Sequence, residues 1–210
     1  MRKNLFSALL VVVCVVCMAG ISQADWYGEV WPGLDGHAYD TSLQPPVGYT
    51  GSYATFLVSQ LDFNSSTAQT YNQWLGISSY LYSQGGFDGN AVIDTGSGYQ
   101  GTFFRFTGYV YFAGGVNNFS ITHDDGVSVW VPELSYTDIS HRYPTSEVTS
   151  NFSVTAAEAG YYQVILQYGA SNGFPEVLET SLQARVPEPM SMLLLGFGLF
   201  GLAGVRRYTR

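Results

Sequence analysis

Asn118-Phe119-Ser120-Ile121-Thr122-His123-Asp124-Asp125-Gly126-Val127-Ser128-Val129-Trp130-Val131 is the stretch on which the reading of this chain turns. Phe119, Ile121 and His123 alternate with Ser120 and Thr122. Val127, Val129 and Val131 alternate with Ser128 and Trp130. A period of two puts successive side chains on opposite faces, so each run is a strand with one buried side. Between them lies Asp124-Asp125-Gly126, and Asp-Gly is a common hairpin signal. Upstream, Phe104 and Phe106 alternate with Arg105 and Thr107, and Tyr109 and Tyr111 continue after Gly108. Downstream, Tyr162, Val164, Leu166 and Tyr168 alternate with Gln163, Ile165 and Gln167. Leu178, Thr180 and Leu182 form a last, weaker strand.

The same punctuation recurs elsewhere. Gly85-Gly86, Asp88-Gly89 and Gly114-Gly115 separate aromatic and β-branched clusters. Helical periodicity is scarce; Thr67 to Tyr82 is the best candidate. Many short strands between turn signals predict an all-β fold, an antiparallel sandwich or barrel. The region from Asp25 to Asn90 is less regular. Trp26, Trp31, Tyr39, Tyr49, Tyr53 and Phe56 are all candidates for the core, and Gly33 to Tyr49 reads as irregular chain wrapped on the sandwich. No linker separates this region, so Asp25 to about Val186 is one domain, large enough for one core.

Charge divides the chain differently. The 210 residues carry 16 Asp+Glu against 8 Lys+Arg, a net −8. Five of the eight cationic residues sit at the two ends: Arg2, Lys3, Arg206, Arg207 and Arg210. From Asp25 to Val186 there are 15 acidic residues, 3 arginines and no lysine, a formal −12. Phosphate recognition needs a dense basic surface, which excludes a nucleic-acid binder. The two cysteines, Cys14 and Cys17, both lie in the N-terminal apolar run.

That run, about Leu5 to Gly20, follows Arg2-Lys3 and precedes Ser22-Gln23-Ala24. A positive start, an apolar middle and small residues at the cut predict a signal peptide, residues 1–24, cleaved after Ala24 by signal peptidase. The mature chain then has no cysteine, hence no disulfide, thiolate site or cysteine nucleophile. At the other end, Pro187-Glu188-Pro189 precedes an apolar run from Met190 to Val205, and Arg206-Arg207 follows. Sixteen helical residues span about 24 Å, short for a bilayer core of about 30 Å. Flanking arginines can close the gap, and they predict a transmembrane helix over about 190–205 with the arginines cytoplasmic. The triplet, the short apolar helix and the arginine tail together resemble the PEP-CTERM sorting signal of Gram-negative bacteria. The resemblance assigns residues 186–210 to that signal. It implies transient anchoring in the inner membrane, cleavage by an exosortase, and delivery to the cell surface or the exopolysaccharide matrix.

The stretch from Thr102 to Leu182 resembles a PA14 domain, a carbohydrate-associated β-sandwich. Members run strand, Gly, strand, turn, then a strand ending in Asp-Asp-Gly. The block Ala159-Gly160-Tyr161-Tyr162 with the strand after it, the Gly-rich loop Gly169 to Gly173 and the closing strand near Val177 to Leu182 continue the pattern. The family's usual tryptophan on the closing strand is replaced here by Leu182 or Gln183, so the match is to a divergent member. The resemblance divides the domain into an irregular N-terminal part, residues 25–101, and a PA14-like core, residues 102–185. In sugar-binding members the Asp-Asp pair turns both carboxylates to one Ca²⁺, which binds sugar hydroxyls. Ca²⁺ suits such a place because it takes six to eight hard oxygen ligands. The resemblance thus implies calcium as cofactor, with Asp124 and Asp125 as ligands and Asn172, in the second ligand loop, joining them. Read from the residues alone, the pair is equally a turn element that binds nothing.

Two kinds of function remain. One is a non-enzymatic, exported, surface- or exopolysaccharide-associated protein that binds carbohydrate through the PA14-like domain, or a structural matrix component with no specific ligand. The other is a secreted glycoside hydrolase, which needs two carboxylates about 5–10 Å apart in a cleft. The motifs favour the first. No Gly-x-Ser-x-Gly elbow, His-Glu-x-x-His helix or phosphate-binding glycine loop is present, and His37, His123 and His141 are scattered.

Overall fold

Period-two alternation becomes two stacked sheets. The computed structural model describes residues 26–65, 70–76, 82–93 and 101–184. In chain order the elements are β1 (Trp26–Pro32), α1 (Asp35–Tyr39), β2 (Tyr53–Val58), β3 (Asp62–Ser65), α2 (Tyr71–Leu75), β4 (Tyr82–Gln84), β5 (Thr102–Phe112), β6 (Gly115–Asp124), β7 (Val127–Val131), β8 (Tyr136–Asp138), β9 (Val148–Ala156), β10 (Gly160–Ala170) and β11 (Glu176–Thr180). One sheet runs β4-β2-β1-β5-β10-β7-β8 and the other β3-β11-β6-β9. Every pairing among the described strands is antiparallel.

The inward sets meet between the sheets. Phe104, Phe106, Val110 and Phe112 of β5 and Val164, Leu166 and Tyr168 of β10 face Phe119 and Ile121 of β6 and Phe152 and Val154 of β9. Each such side chain contributes about 1.5–3 kcal/mol when it leaves water. α2 adds Trp74, whose ring lies 4.6 Å from Phe63, 5.1 Å from Phe104 and 5.7 Å from Tyr168. Its indole Nε1 donates to the Glu176 carbonyl at 3.0 Å. That bond ties the helix to the start of β11. The helix expected over Thr67–Tyr82 is the five residues of α2 alone among the described positions.

The sandwich expected from the alternation is present, but the N-terminal part, residues 25–101, is not merely irregular chain around it. β1 lies between β2 and β5 in the middle of the larger sheet. Trp26 and Val30 are buried inside, with Gly28 between them. A Cβ at Gly28 would stand 2.3 Å from the Phe56 ring, so the glycine makes room for that ring. Trp26, Trp31 and Phe56 are core residues as expected; Tyr49 and Tyr53 are half-buried; Tyr39 is 61% exposed, because α1 turns it outward. α1 and the chain to residue 44 instead cover one end of the larger sheet's outer face. Thr41 Oγ1 is 2.7 Å from Ser128 Oγ there, and Gln167 is buried beneath.

The signal peptide and Ala24, Pro187-Glu188-Pro189, the helix over 190–205, and Arg206 and Arg207 lie outside the described residues. Among the described residues no helix is long and apolar enough to cross a membrane.

Candidate functional site

β6 and β7 are not a hairpin. β6 pairs with β9 and β11 in the smaller sheet, whereas β7 pairs with β10 and β8 in the larger one. Asp124-Asp125-Gly126 is therefore a crossover from one sheet to the other at one end of the sandwich, and the hairpin reading of Asp-Gly is corrected. The Asp124–Asp125 peptide bond is cis. Gly126 meets a second loop at close range: a Cβ there would lie 2.5 Å from the Arg142 carbonyl oxygen. The backbone is locked on both sides, Val127 N–H donating to the His141 carbonyl at 2.8 Å and Gly169 N–H to the Gly126 carbonyl at 3.1 Å.

This crossover buries its charges. Asp124 is 4% exposed and Asp125 is fully buried. Burial pushes the Asp124 carboxyl up to about 6, with the Asp125 charge adding to it and the Glu147 backbone opposing. Burial also raises Asp125, against the hydrogen bonds it accepts from Ser171 and Asn172 and a pull from the Thr145 backbone. Those bonds converge on one oxygen. Oδ2 of Asp125 accepts from Ser171 N–H at 2.7 Å, Ser171 Oγ at 3.2 Å and Asn172 N–H at 3.0 Å. Oδ1 is buried and accepts no hydrogen bond of normal geometry among the described residues. Burying a carboxylate oxygen without a partner is costly, and a cation is one way to offset it.

The three residues expected from the sequence do come together. Asn172 reaches Asp125 through its backbone N–H, while its side chain is exposed. The donor set is all oxygen, which fits a hard cation such as Ca²⁺. Among the described residues no third His, Cys, Asp or Glu joins the pair in a metal-binding group. A cation held here would complete its shell from Asp124, Asp125, main-chain or Asn172 oxygens, water and ligand.

Several neighbours carried no signal in the sequence. Tyr168, in the middle of a routine alternation, is fully buried with its hydroxyl between two acceptors. It donates to the Asp124 carbonyl oxygen and lies 2.8 Å from Oε2 of Glu176. Burial, reinforced by Glu176, holds the phenol well above its ordinary value, so it keeps its proton. Glu176 is itself fully buried at the head of β11. His123, the last inward residue before the pair, has Nδ1 2.5 Å from the Asp125 carbonyl oxygen and Nε2 2.8 Å from Ser150 Oγ. Both ring nitrogens are engaged, and burial lowers its proton affinity. His123 thus braces the crossover. The His141 ring lies 5.8 Å from it, tilted by 60°, whereas His37 lies on α1.

Residues 185–207 match the PEP-CTERM protein-sorting motif. The chain is therefore an exported protein with a C-terminal sorting signal, and the motif implies processing by an exosortase. A search of curated proteins returns no match. Among solved structures, the PA14 domain of the antifreeze protein MpAFP superposes with a TM-score of 0.53 at 20% identity, over 78% of this chain and 83% of that one. This likeness identifies the fold as PA14-like. A PA14 sugar-binding domain from an RTX adhesin is also similar (TM-score 0.47, 16% identity, 77% of this chain and 90% of that one). So is an epithelial adhesin A domain from Candida glabrata in complex with β-lactose (TM-score 0.44, 12% identity, 79% and 82%).

Proposed function

We propose that this protein is a non-enzymatic, exported carbohydrate-binding module, and that the β6–β7 crossover is its calcium-dependent sugar site. Asp124 and Asp125 would hold the ion, with oxygens of the Ser171–Gly173 loop nearby. Bound Ca²⁺ supplies vacant coordination positions that sugar hydroxyls fill. The chain's own residues set that site up. Ser171 and Asn172 occupy Oδ2 of Asp125 and leave Oδ1 for a cation. Tyr168 fixes the Asp124 carbonyl, and His123 fixes that of Asp125. The observation that carries the reading is the buried carboxylate pair, with Oδ1 of Asp125 accepting no hydrogen bond of normal geometry among the described residues.

The placement suits display from a surface. Tyr168 pairs with Phe104, while Ala184, the last described residue, bridges to Val110, six residues further along β5. The candidate site and the exit towards the sorting motif are thus about 20 Å apart along the sandwich. In this reading signal peptidase cuts after Ala24, a helix over 190–205 anchors the chain in the inner membrane, and an exosortase releases it to the surface or the exopolysaccharide matrix.

A glycan array with and without EDTA tests the proposal, comparing wild type with Asp124→Asn plus Asp125→Asn. Calcium-dependent spots that vanish in EDTA and in the double variant are expected. If no spot is chelator-sensitive, the lectin reading fails and a ligand-free matrix role remains. For the hydrolase alternative, Asp62 and Glu179 are a carboxylate pair away from the crossover, opposed across β3 and β11 and lining a groove of about 370 Å³. Asp62 is exposed on a sheet surface, not enclosed in a cleft, so the structure favours binding over hydrolysis.

A further inference from the structure

The outward positions of the larger sheet form a face unlike the rest of the domain. Where α1 and its tail do not cover it, the sheet displays Tyr27, Leu57, Tyr109, Tyr111 and Tyr161, each between 39% and 53% exposed. They are neighbours across strands. Tyr111 sits opposite Tyr161, with ring centroids 5.4 Å apart, and Tyr27 sits opposite both Leu57 and Thr107. Tyr109 and Tyr111 project from the same side of β5, about 7 Å apart. Between the rings lie an amide, Gln163 opposite Tyr109, and a hydroxyl, Thr107. The domain carries 15 acidic residues, yet none of these positions is acidic or basic. At the margin Glu29 and Arg105 neutralise each other at 2.5 Å, and Glu133 accepts from Gln163 N–H at 3.2 Å. Beside Tyr111 lies a groove of about 530 Å³ whose polar lining includes Asn117, Asn118 and Gln183 and, among the described residues, no charged one.

We infer that this tyrosine face and its groove form a second carbohydrate-binding surface, independent of metal, that takes an extended segment of a neutral polysaccharide. The charge pattern selects the ligand class. A polyanion would be repelled by the −12 of the domain around the face, and a cationic partner would meet rings, an amide and a hydroxyl at its centre, with Glu133 held at the margin by Gln163 N–H. A neutral sugar chain has apolar ring faces for the tyrosines and hydroxyls for the amides, the combination of apolar body and polar handle that Tyr and Asn or Gln offer. The surface lies at the other end of β5 from the Asp124–Asp125 crossover. One domain would then hold two glycan segments about 20 Å apart and cross-link them.

Native affinity electrophoresis of the full chain tests this. The gels contain hydroxyethyl cellulose, dextran or, as the anionic control, polygalacturonate, all in EDTA so that the calcium reading plays no part. Wild type should be retarded by a neutral polysaccharide and not by polygalacturonate. Tyr109→Ala plus Tyr111→Ala should weaken that retardation about tenfold, the loss expected on truncating aromatic anchors. Tyr109→Phe plus Tyr111→Phe, which keeps both rings, should retain it. No retardation in EDTA by either neutral polymer, or retardation indifferent to the alanine pair, overturns the inference. Chelator-sensitive binding on the array would then still stand by itself. A concentration-dependent dimer in sedimentation that the alanine pair abolishes, or vesicle flotation lost in the same variant without any polysaccharide binding, would assign the face to a second copy or to lipid and overturn it equally.

Discussion

The two ends of β5 treat the same residue type in opposite ways. At the crossover end, Tyr168 is fully buried, stacked on Trp74 at 5.7 Å, its hydroxyl shared between Asp124 and Glu176. At the other end, Tyr111 is 53% exposed and touches mainly Tyr161. The crossover gathers carboxylates out of water and holds them with backbone amides; the tyrosine face gathers rings in water and keeps its charges, Glu29, Arg105 and Glu133, at the margin. Stability and recognition are therefore separable here. In the proposed reading, residues at the crossover serve both, whereas residues on the face are free to serve recognition alone.

The sharpest way to break that contrast is to truncate Tyr168. Tyr168→Ala removes a core ring and the one proton donor between two acceptors. Loss of a buried aromatic costs about 3–5 kcal/mol, to be read from urea denaturation of the full chain. Tyr168→Phe separates the two effects. It keeps the ring and loses the hydroxyl, so about 1–3 kcal/mol is expected. A wild-type midpoint for Tyr168→Ala would mean that the crossover end is not part of the cooperative core.

The second prediction is a pH dependence confined to the crossover. Asp124 titrates near 6 in the folded chain against an ordinary 3.8. The folded state therefore binds this proton more tightly than the unfolded state does. The resulting stability is fully present below about pH 4 and is lost as pH rises through about 6. Asp125 is raised too, so its contribution runs in the same direction. His123 opposes: its lowered proton affinity makes the fold weaker as pH falls below its ordinary 6.5. The difference between wild type and Asp124→Asn isolates the aspartate. In EDTA, that difference should change by about 2–4 °C in Tm between pH 5 and pH 7.5, the shift that 1 kcal/mol makes in a domain of this size. Adding Ca²⁺ at pH 7.5 should raise the wild-type Tm and leave the variant unmoved. A pH-independent difference would show that the pair is solvated, not sequestered.

The sequence makes the crossover only half legible, for reasons that the two ends explain. Alternation revealed β5, β6, β7 and β10, because each has an unbroken inward set. Asp124 and Asp125 stand out as adjacent like charges in an otherwise apolar strand context. Their topology was hidden, since strand–Asp-Asp-Gly–strand reads the same whether the next strand pairs or crosses to the other sheet. Glu176 was hidden as well; a single carboxylate after Pro175 has no local pattern, and its burial depends on Trp74 and Tyr168, which are distant in sequence. β1 escaped because Gly28 interrupts its inward set, and the reason for that glycine is the Phe56 ring of another strand. The tyrosine face was missed differently. Its residues looked like ordinary strand aromatics, and only the pairing register places Tyr27, Tyr109, Tyr111 and Tyr161 on one surface.

The smallest effect completes the contrast. Tyr111→Ala should leave stability within about 0.5 kcal/mol of wild type, as for most exposed positions. Some change is expected, because the edge-to-face contact with Tyr161 contributes about 0.5–1.5 kcal/mol where such pairs are held rigidly, and less where water surrounds them. A double-mutant cycle with Tyr161→Ala measures that coupling directly. Weak coupling together with lost retardation by a neutral polysaccharide would mean that the rings are kept for the ligand. Strong coupling, above about 1 kcal/mol, would mean that the pair is a structural clasp joining β5 to β10, and the proposed division between a stabilising end and a recognising end would fail.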